Sequence, residues 1–384
     1  MTGLRPTATD RRKETRNSIY QYIFAAPESV TKQEMAADLG LSMPTIHQNI
    51  TELLEAGLIE VAETKPSTGG RPAVGYKINK NFMTAIGAAV SASHLRILAT
   101  DLKQEVLAYK KIRHDFSDSN NSGHFVAAEL EKFIDEYNID RNTIHGVGIT
   151  VPGIVDWDER KIRFSPTLKL RDFSVSYIKE DIPYPVHIEN DSTCAGAAEW
   201  MARNSIGTET EEKIEFAYLW LESGVGGAIV MSNGVSLKGD NQKGAEFGHM
   251  CVIPNGKKCN CGKKGCLEAY CGADRLTTDL GIETEDFFNG LKEGNKEYRK
   301  VFDEFLKALS IAVTNLRMAF DCDIILGGSV SRFLEPYLPE LRDLVTERDP
   351  FDDNANYIKL GIYPDHAGMR GAAWYFIHKF VGEI

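Results

Sequence analysis

Three cysteines and a histidine fall within 18 residues of this chain, and a shared ligand for them would constrain the local fold more than any other feature of the sequence. Residues 259–268 read CNCGKKGCLE, a C-x-C-x4-C spacing, and the histidine stands ten residues earlier, in GAEFGHM. Two glycines in the string allow the backbone to turn tightly around a small ion. Four such ligands complete a closed tetrahedral shell, which is the form of a structural zinc site. The predicted Zn2+ ligands are His249, Cys259, Cys261 and Cys266.

Other uses of these cysteines fit the sequence less well. A redox pair needs C-x-x-C near the start of a helix, whereas the spacing here is C-x-C. A DNA-reading zinc finger needs a second Cys/His pair and a basic helix, and the following residues, LEAYCGADRL, supply neither. Surface cysteines without a metal remain the alternative. The total of seven cysteines is odd, and Cys194, Cys251 and Cys322 are scattered, so we expect reduced cysteines and no disulfide framework.

Charge is distributed unevenly along the 384 residues. The net charge is -11, but the first 80 residues carry ten Lys/Arg against nine Asp/Glu, so the acidic excess lies in the rest. This argues against a chain that coats nucleic acid along its length and suggests two domains with different tasks. The N-terminal residues lack the apolar stretch of a secretory signal, and no run is long enough to cross a bilayer. We therefore expect a cytoplasmic protein without a membrane partner.

Residues 31–54 have the pattern of a helix-turn-helix. Thr31 and Glu34 form the capping box of a short helix, and Gly40 provides a tight connection. Ser42 then caps a second helix whose apolar residues share one face. This second helix is expected to enter the major groove of DNA with polar residues near its N-terminal end on the base edges. The expected DNA contacts from it are Ser42, Thr45, His47, Gln48 and Asn49.

The residues that follow predict a wing. LIEVAETKPSTGGRPAVGYKI indicates a strand, a loop with one proline and two glycines, and a second strand. Arg71 near the tip of this loop suits the negative potential of a narrow minor groove. We therefore assign residues 1–79 to a winged helix-turn-helix DNA-binding domain. A three-helix packing module with a decorative hairpin is the alternative.

From about residue 80 onward, strands and helices alternate. TAIGAAVSASHLRILATDL is typical of a pair of apolar strands, VAAELEKFIDEYN of a helix, and VHIEND of a strand followed by the helix STCAGAAEWMARN. Glycine-rich turns close the strands in IHGVGITVPGIVD and CDIILGGSVSRF. This alternation predicts an α/β domain with mixed sheets.

Three strings carry a family resemblance. ENDSTCAGAAEW, GAEFGHM and CNCGKKGCLEAY, in this order and spacing, resemble the ROK family (repressors, open reading frames and sugar kinases). The helix-turn-helix makes the chain similar to the family's transcriptional regulators, which are related to repressors of xylose, glucose and N-acetylglucosamine utilisation. The resemblance covers essentially the whole chain. It implies an actin-like, two-lobed, sugar-kinase-like domain over residues 80–384, with lobe one at about 80–195 plus the C-terminal helix and lobe two at about 196–365.

The resemblance also implies a sugar site between the lobes. Family members bind the sugar through an Asn-Asp pair, a Glu-x-Gly-His string and the glutamate after the third zinc cysteine. Carboxylates and amides suit such a site because they form paired hydrogen bonds with neighbouring hydroxyls. The histidine can serve twice, one ring nitrogen on zinc and the other on a hydroxyl. The implied sugar-binding residues are Asn190, Asp191, Glu246, His249 and Glu268.

Each carboxylate of this set also has a plainer interpretation. Asp191 could cap a helix, Glu246 could form half of a surface ion pair, and Glu268 could be a solvated helix residue. The family pattern usually has Pro-Asn-Leu where this chain has PTL at 166–168. An amide contact to a sugar hydroxyl is therefore shortened, and the identity of the sugar does not carry over from the family.

The chain departs from the family's kinases where they bind ATP. In those kinases Asp191 would be the general base, and an early Asp-x-Gly-Gly-Thr string holds ATP with its metal. That string aligns with AVSASH, which puts Ala89 at the position of the aspartate. The later Gly-Thr-Gly loop reads Glu222-Ser223-Gly224, which aims a carboxylate at phosphate oxygens. We expect no catalytic residues, with Asp191 as a vestigial base. An active ATP-dependent sugar kinase with a DNA-binding head is the alternative.

These expectations combine into one hypothesis, a sugar-responsive repressor of carbohydrate-utilisation genes. A homodimer, with a tetramer as the larger alternative, would place two heads on a two-fold symmetric operator with half-sites a multiple of about 10 base pairs apart. A monosaccharide or amino sugar between the lobes would change the spacing of the heads. The rivals from another class are regulators that dock a protein in place of a sugar or respond to zinc supply.

Overall fold

The N-terminal head has the capped helices that the sequence predicts. The computed structural model describes residues 7–62, 73–116, 119–156, 159–204, 213–277 and 280–384. Thr31 Oγ1 accepts from Glu34 N at 3.2 Å, and the Glu34 carboxylate accepts from Thr31 N at 2.6 Å. Gly40 adopts a left-handed φ of 63°, and Ser42 Oγ accepts from Thr45 N at 3.3 Å. The elements of the head are α1 (Ala8–Ala25), β1 (Val30–Thr31), α2 (Lys32–Leu39), α3 (Met43–Glu55), β2 (Ile59–Val61) and β3 (Gly75–Ile78).

One of the predicted outward-facing residues of α3 points inward. Thr45, His47 and Gln48 reach solvent, but Asn49 is only 5% exposed, and its Nδ2 donates to Thr45 O at 2.9 Å. The expectation that Asn49 lies free for a base contact is therefore wrong. Its position, three residues after Ile46, places it on the helix face that packs against the rest of the head.

The strands of the wing pair as the sequence predicts. β2 and β3 are antiparallel, with Ile59 opposite Ile78 and Val61 opposite Tyr76, and β1 pairs with the same β3. The three strands form one small sheet in the order β1-β3-β2. Arg71, the predicted minor-groove residue, lies outside the described residues.

The body contains two larger sheets and one small one. The first has the order β11-β7-β4-β5-β6, the second β13-β12-β14-β15, and the small one β10-β9-β8. The strands are β4 (Thr84–Val90), β5 (His94–Asp101), β6 (Val106–Arg113), β7 (Ile144–Val151), β8 (Ile154–Asp156), β9 (Lys161–Ser165), β10 (Leu170–Ser174), β11 (Val186–Asn190), β12 (Ile214–Leu221), β13 (Val225–Met231), β14 (Asp323–Gly327) and β15 (Ile358–Leu360). The helices are α4 (Ser119–Glu136), α5 (Ser176–Lys179), α6 (Asp191–Arg203), α7 (Glu268–Cys271), α8 (Ala273–Thr277), α9 (Thr284–Lys292), α10 (Lys296–Phe320), α11 (Leu338–Thr346) and α12 (Ala367–Gly382).

Two helices pack between the large sheets. α12 lies on β4 and β7 of the first sheet, α6 lies on β13 of the second, and the two helices pack against each other. Glycines permit this close approach: a Cβ added to Gly87 would lie 2.0 Å from Met369 O, and one added to Gly371 would lie 1.7 Å from Cys194 O. The layer order is therefore sheet, helix, helix, sheet, and the N-terminus of α6 lies beside the start of α12.

The head and the body share a continuous hydrophobic core. Tyr20 and Ile23 of α1 belong to the same buried cluster as Trp374 and Ile377 of α12. Tyr20 meets Phe380 edge-to-face at 6.3 Å between ring centroids. The sequence suggested two domains with different tasks. In the structure α12 joins the head to the body, because α1 and α12 bury their apolar faces against each other.

Among the residues that the structure describes, no helix is long and apolar enough to span a membrane.

Candidate functional site

The four predicted metal ligands converge at one point. The ligand atoms of His249, Cys259, Cys261 and Cys266 all lie within 4.8 Å of one another. Cys261 Sγ lies 3.7 Å from Cys266 Sγ, and Cys259 Sγ lies 3.9 Å from His249 Nδ1. A tetrahedral zinc with Zn–S bonds of 2.3 Å has sulfur–sulfur edges of about 3.8 Å. The cluster therefore has the donor set and the spacing to hold a metal ion.

A tight backbone turn brings these ligands together. Cys259 N donates to Lys263 O at 2.8 Å, and Gly262 N donates to Cys259 O at 3.0 Å. Gly265 has a φ of +81°, and a Cβ there would lie 1.9 Å from Ile253 O. A side chain at Gly265 would therefore clash with the neighbouring strand-like segment, so only glycine lets the cysteines close on the histidine.

Asn190 and Asp191 stand where β11 ends and α6 begins. Asn190, not Asp191, is the N-cap of α6: its Oδ1 accepts from Thr193 N at 3.0 Å and from Ser192 Oγ at 2.7 Å. Its Nδ2 donates to Gly153 O at 2.9 Å, which leaves one amide hydrogen for another partner. Asn190 thus orients the loop after β7 as well as the start of α6.

Asp191 is the most perturbed carboxyl group of the cleft. Burial raises its pKa to about 7, and the nearby charges of Glu222 and Glu246 raise it further, against a hydrogen bond from Ser192 N. These electrostatic effects indicate that Asp191, Glu222 and Glu246 lie near one another. A carboxyl group whose pKa is raised by burial and by neighbouring carboxylates is a candidate for a functional site.

Glu268 connects the cysteine cluster to the glycine loop before β13. Its Oε2 accepts from Val225 N at 3.2 Å, and its Oε1 lies 3.6 Å from Cys259 Sγ. A Cβ at Gly224 would lie 2.6 Å from Glu268 Oε2, so a side chain there would displace the Glu268 carboxylate. Burial raises the pKa of Glu246, while the nearby His249 lowers it and the charge of Glu268 raises it, so these three predicted side chains are neighbours.

The turn after β4 corresponds to the string that holds ATP and its metal ion in the family's kinases. Ala89 on β4 offers no carboxylate. In the turn that follows, Ser91 N and Ser91 Oγ both donate to His94 O, at 2.9 and 3.0 Å. The carbonyl oxygens of Ala92 and Ser93 accept from Phe116 N and His114 N, at 3.1 and 3.0 Å, which ties the turn to the segment after β6.

A carboxylate that the sequence had placed near phosphate oxygens instead binds the glycine turn after β14. Glu222 Oε1 accepts from Ser329 N at 2.9 Å, and Glu222 Oε2 accepts from Ser329 Oγ at 2.9 Å. Burial raises the pKa of Glu222, and these hydrogen bonds oppose the increase. The sequence alone shows that residue 222 is a glutamate where the family pattern has glycine. It does not show that the partner of Glu222 is Ser329, which lies 107 residues further along the chain.

Sequence reasoning also missed a basic feature of the DNA-binding head. Arg11 and Arg12 of α1 lie beside Thr45 and Gln48 of α3 and line a cleft with them. The signal in the sequence was the Arg-Arg-Lys run at 11–13 on the first helix. The helical pattern alone did not show which side of α1 would face α3.

The fold and its cleft define a class of protein, a helix-turn-helix head joined to a sugar-kinase-like body. The family model described as "ROK family" matches residues 85–379, and a model described as "Helix-turn-helix domain" matches residues 13–62. The chain belongs to the ROK family. The predicted family, the helix-turn-helix and the α/β sugar-kinase-like fold are thereby confirmed.

Relatives of the chain include both regulators and kinases. It is 25% identical to the xylose repressor of Bacillus subtilis over 327 residues, which covers 83% of each protein. It is 28% identical to a glucokinase of Halalkalibacterium halodurans over 276 residues, which covers 65% of this chain and 81% of that one. A solved structure described as "ROK family transcriptional regulator, homolog of E.coli MLC protein" matches with a TM-score of 0.74 at 21% identity over 97% of both chains, which supports the fold, head included.

Proposed function

We propose that this protein is a sugar-responsive repressor of carbohydrate-utilisation genes. One observation carries the proposal: a single helix, α12, reaches from the candidate sugar site to the DNA-binding head. Its first turn lies beside Asp191, where a Cβ on Gly368 would be 3.4 Å from Asp191 O. Its last turn binds α1, where Asn17 Nδ2 donates to Gly382 O at 2.9 Å. The similarity to a xylose repressor over 83% of the chain supports the same function.

The proposed sugar ligands are Asn190, Asp191, Glu246, His249 and Glu268. Asp191 has one carboxylate oxygen beyond the one bonded to Ser192 N, and Asn190 has one remaining amide hydrogen. A ligand that binds such paired polar groups is selected by the positions of its hydroxyls, because a mismatched isomer leaves buried groups unpaired. Monosaccharides and amino sugars have this chemistry.

The proposed metal is a structural Zn2+. Three thiolates and one imidazole are a zinc donor set, and four protein ligands leave no open position for catalysis. A metal held through His249 Nδ1, the ring nitrogen near Cys259, would leave Nε2 for a sugar hydroxyl. Zinc would thus orient the histidine while Glu268 holds the neighbouring loop.

The proposed response uses the shared core. Sugar binding at the start of α6 would favour one arrangement of α6 against α12, and α12 would carry this arrangement to α1. A sugar can shift the equilibrium only by its different affinity for the two arrangements, so operator and sugar must affect each other's affinity by the same factor. A homodimer would turn this change into a change of head spacing on a two-fold symmetric operator.

We further propose that kinase activity has been lost. Glu222 supplies a negative charge to the Ser329 donors on the glycine turn, where a nucleotide phosphate would have to compete with it. Ala89 removes the carboxylate that would organise a metal ion. Asp191 is then retained as a sugar ligand and not as a base.

Replacement of Glu222 is expected to destabilise the protein without creating a kinase. Glu222→Ala should lower the free energy of unfolding by about 1–3 kcal/mol, because Ser329 N and Oγ lose their acceptor. Glu222→Gln, which keeps one acceptor oxygen, should cost less. Urea denaturation measures both, and coupled ADP release should stay at background in wild type and variants. Sugar-dependent ADP release in the wild type that disappears in Asp191→Asn would establish the kinase alternative instead.

The experiment that tests the proposed function has two stages. A thermal shift panel of monosaccharides and amino sugars, with and without Mg-ATP, identifies the sugar that stabilises the zinc-loaded protein. Fluorescence anisotropy with a duplex selected from a random library then measures operator affinity with and without that sugar. A sugar-dependent change in affinity supports the proposal. A protein that binds the duplex but ignores every sugar would favour a protein or zinc effector.

Phe380 is expected to be needed for communication between sugar and operator. It contacts Tyr20 of the head and stacks on Phe82 at 5.6 Å between centroids. In Phe380→Ala the effect of sugar on operator affinity, typically about 5- to 150-fold in allosteric proteins, should fall toward one. Sugar affinity in the absence of DNA should remain within a few fold. Lys379→Ala, on the exposed side of the same helix, is the control and should respond like the wild type.

A further inference from the structure

We infer that a cleft between α1 and α3 binds a backbone phosphate of DNA, with Arg11 and Arg12 as its cationic ligands. The inference rests on the proposed DNA-binding function and adds two contact residues on α1, which lie beside α3 and outside the wing. The cleft has a volume of about 300 Å³. Its lining residues are Arg11, Arg12, Thr15, Thr45, Gln48 and Asn49.

The chemistry of the lining suits a phosphate. Guanidinium groups bind phosphate oxygens in pairs, and hydroxyl and amide groups add neutral donors. A water molecule takes about 30 Å³ of liquid, so the cleft has room for a phosphate group with several waters. Thr45 and Gln48 lie in the N-terminal half of α3, the half expected in the major groove, whose edge is formed by phosphates.

A carboxylate of the protein pairs with Arg12. The Arg12 guanidinium contacts Glu52 on α3, and Gln48 Nε2 donates to the same carboxylate at 3.3 Å. Hydrogen bonding from Arg12 lowers the pKa of Glu52, so this group is ionised at neutral pH. The Arg12 side chain is 62% exposed, and an exposed ion pair is weak. Glu52 therefore positions the Arg12 guanidinium beside α3, and a DNA phosphate can replace Glu52 as its partner.

The floor of the cleft has unused hydrogen-bonding capacity. Asn49 is 5% exposed, and its Oδ1 has no hydrogen-bond partner among the described residues. The Nε of Arg16, on the next turn of α1, is also buried and without a hydrogen-bond partner in the same part of the structure. Buried polar groups are rarely left unpaired. The Arg16 Nε can donate to a phosphate oxygen or to water, whereas the Asn49 Oδ1 is an acceptor that a water molecule or a guanidinium group would satisfy.

The test measures how salt weakens binding of the full-length protein to two duplexes, one selected from a random library and one of random sequence. Each phosphate contact contributes a slope of about -0.9 to log K against log [salt]. Arg12→Gln should reduce the slope by about 1 and lower the affinity for both duplexes by roughly the same factor, near tenfold at moderate salt. Arg11→Gln combined with Arg12→Gln should reduce the slope by about 2.

Three controls separate a built site from general charge. Lys13→Gln makes the same charge change on α1 outside the cleft and should leave the slope unchanged. Arg12→Lys keeps the positive charge but loses the two parallel N–H donors of the guanidinium group. The salt slope should therefore stay the same while the affinity for DNA falls. Glu52→Gln removes the competitor and should tighten binding.

The possible outcomes distinguish this inference from the function on which it rests. Equal slope changes in Lys13→Gln and Arg12→Gln, or an unchanged slope in Arg12→Gln, would overturn the phosphate cleft while DNA binding stands. Absence of binding to any duplex by the wild type would overturn the proposed function itself.

Discussion

Serine in place of Cys259 or Cys266 is expected to cause the largest loss of stability of any single substitution considered for this chain. Both side chains are buried, at 2% exposure, in the core of the second large sheet. Metal binding free energy is folding free energy when a site forms only in the folded state, so loss of one ligand should lower the free energy of unfolding by more than about 4 kcal/mol. Thermal unfolding, together with the zinc content per chain, measures the effect.

The same segment offers a matched control. Cys251 is exposed, two residues after His249, and does not belong to the four-ligand cluster. Cys251→Ser should change stability by no more than about 0.5 kcal/mol and should keep one zinc per chain. A chelator should reproduce the effect of Cys259→Ser, and added zinc should reverse it. If Cys259→Ser stayed as stable as Cys251→Ser, the structural role of the metal would be wrong.

Asp191→Asn is expected to give the largest loss of sugar binding. A hydrogen bond to a charged group contributes about 1.5–3 kcal/mol, so sugar affinity should fall roughly 10- to 100-fold. Operator affinity without sugar should change little, because Asp191 lies far along α12 from the head. Isothermal titration with the sugar found in the thermal shift panel measures the sugar affinity. Fluorescence anisotropy measures the operator affinity. Asp240→Asn, at an exposed position elsewhere in the body, is the control.

The raised pKa of Asp191 adds a pH dependence with a definite sign. Its folded pKa of about 7 lies above the ordinary value of 3.8, so the folded protein holds this proton more tightly than the unfolded chain does. Stability from this group is therefore present below about pH 4 and is lost as pH rises through about 7. Sugar hydroxyls that donate to the carboxylate favour its charged form, so sugar affinity should rise over the same interval. The pH dependence of stability and the pH dependence of sugar affinity should both be weaker in Asp191→Asn. If they were unchanged in that variant, they would be assigned to Glu222 or Glu246.

His249 links the predicted effects of losing the metal to the predicted effects on sugar binding. It lies 3.9 Å from Cys259 on the metal side and interacts with Glu246 on the sugar side. Metal loss should therefore weaken sugar binding even where the fold survives. The proposed loss of kinase activity is consistent with this mechanism, because Glu222 binds the chain's own Ser329.

Local signals in the sequence were enough to predict several parts of this protein. The capping box at Thr31 and Glu34, the turn at Gly40 and the cap at Ser42 depend on neighbours within a few residues, and all three formed as expected. The three cysteines lie within eight residues, and the backbone geometry of the intervening glycines brings them together. The alternation of strands and helices likewise predicted the α/β body, because periodicity records which face of each element is buried.

Tertiary structure alone decided the features that join distant segments. The sequence could not show that Glu222 would bind Ser329, or that α1 would place Arg12 beside Glu52 and Tyr20 against Phe380. Each of these contacts depends on the relative placement of elements that are up to several hundred residues apart. A helical pattern identifies an apolar face but not the surface that covers it. Local sequence was therefore enough to predict the capped helices and the cysteine cluster, whereas the packing of α12 between the candidate sugar site and the helix-turn-helix head was decided by tertiary structure.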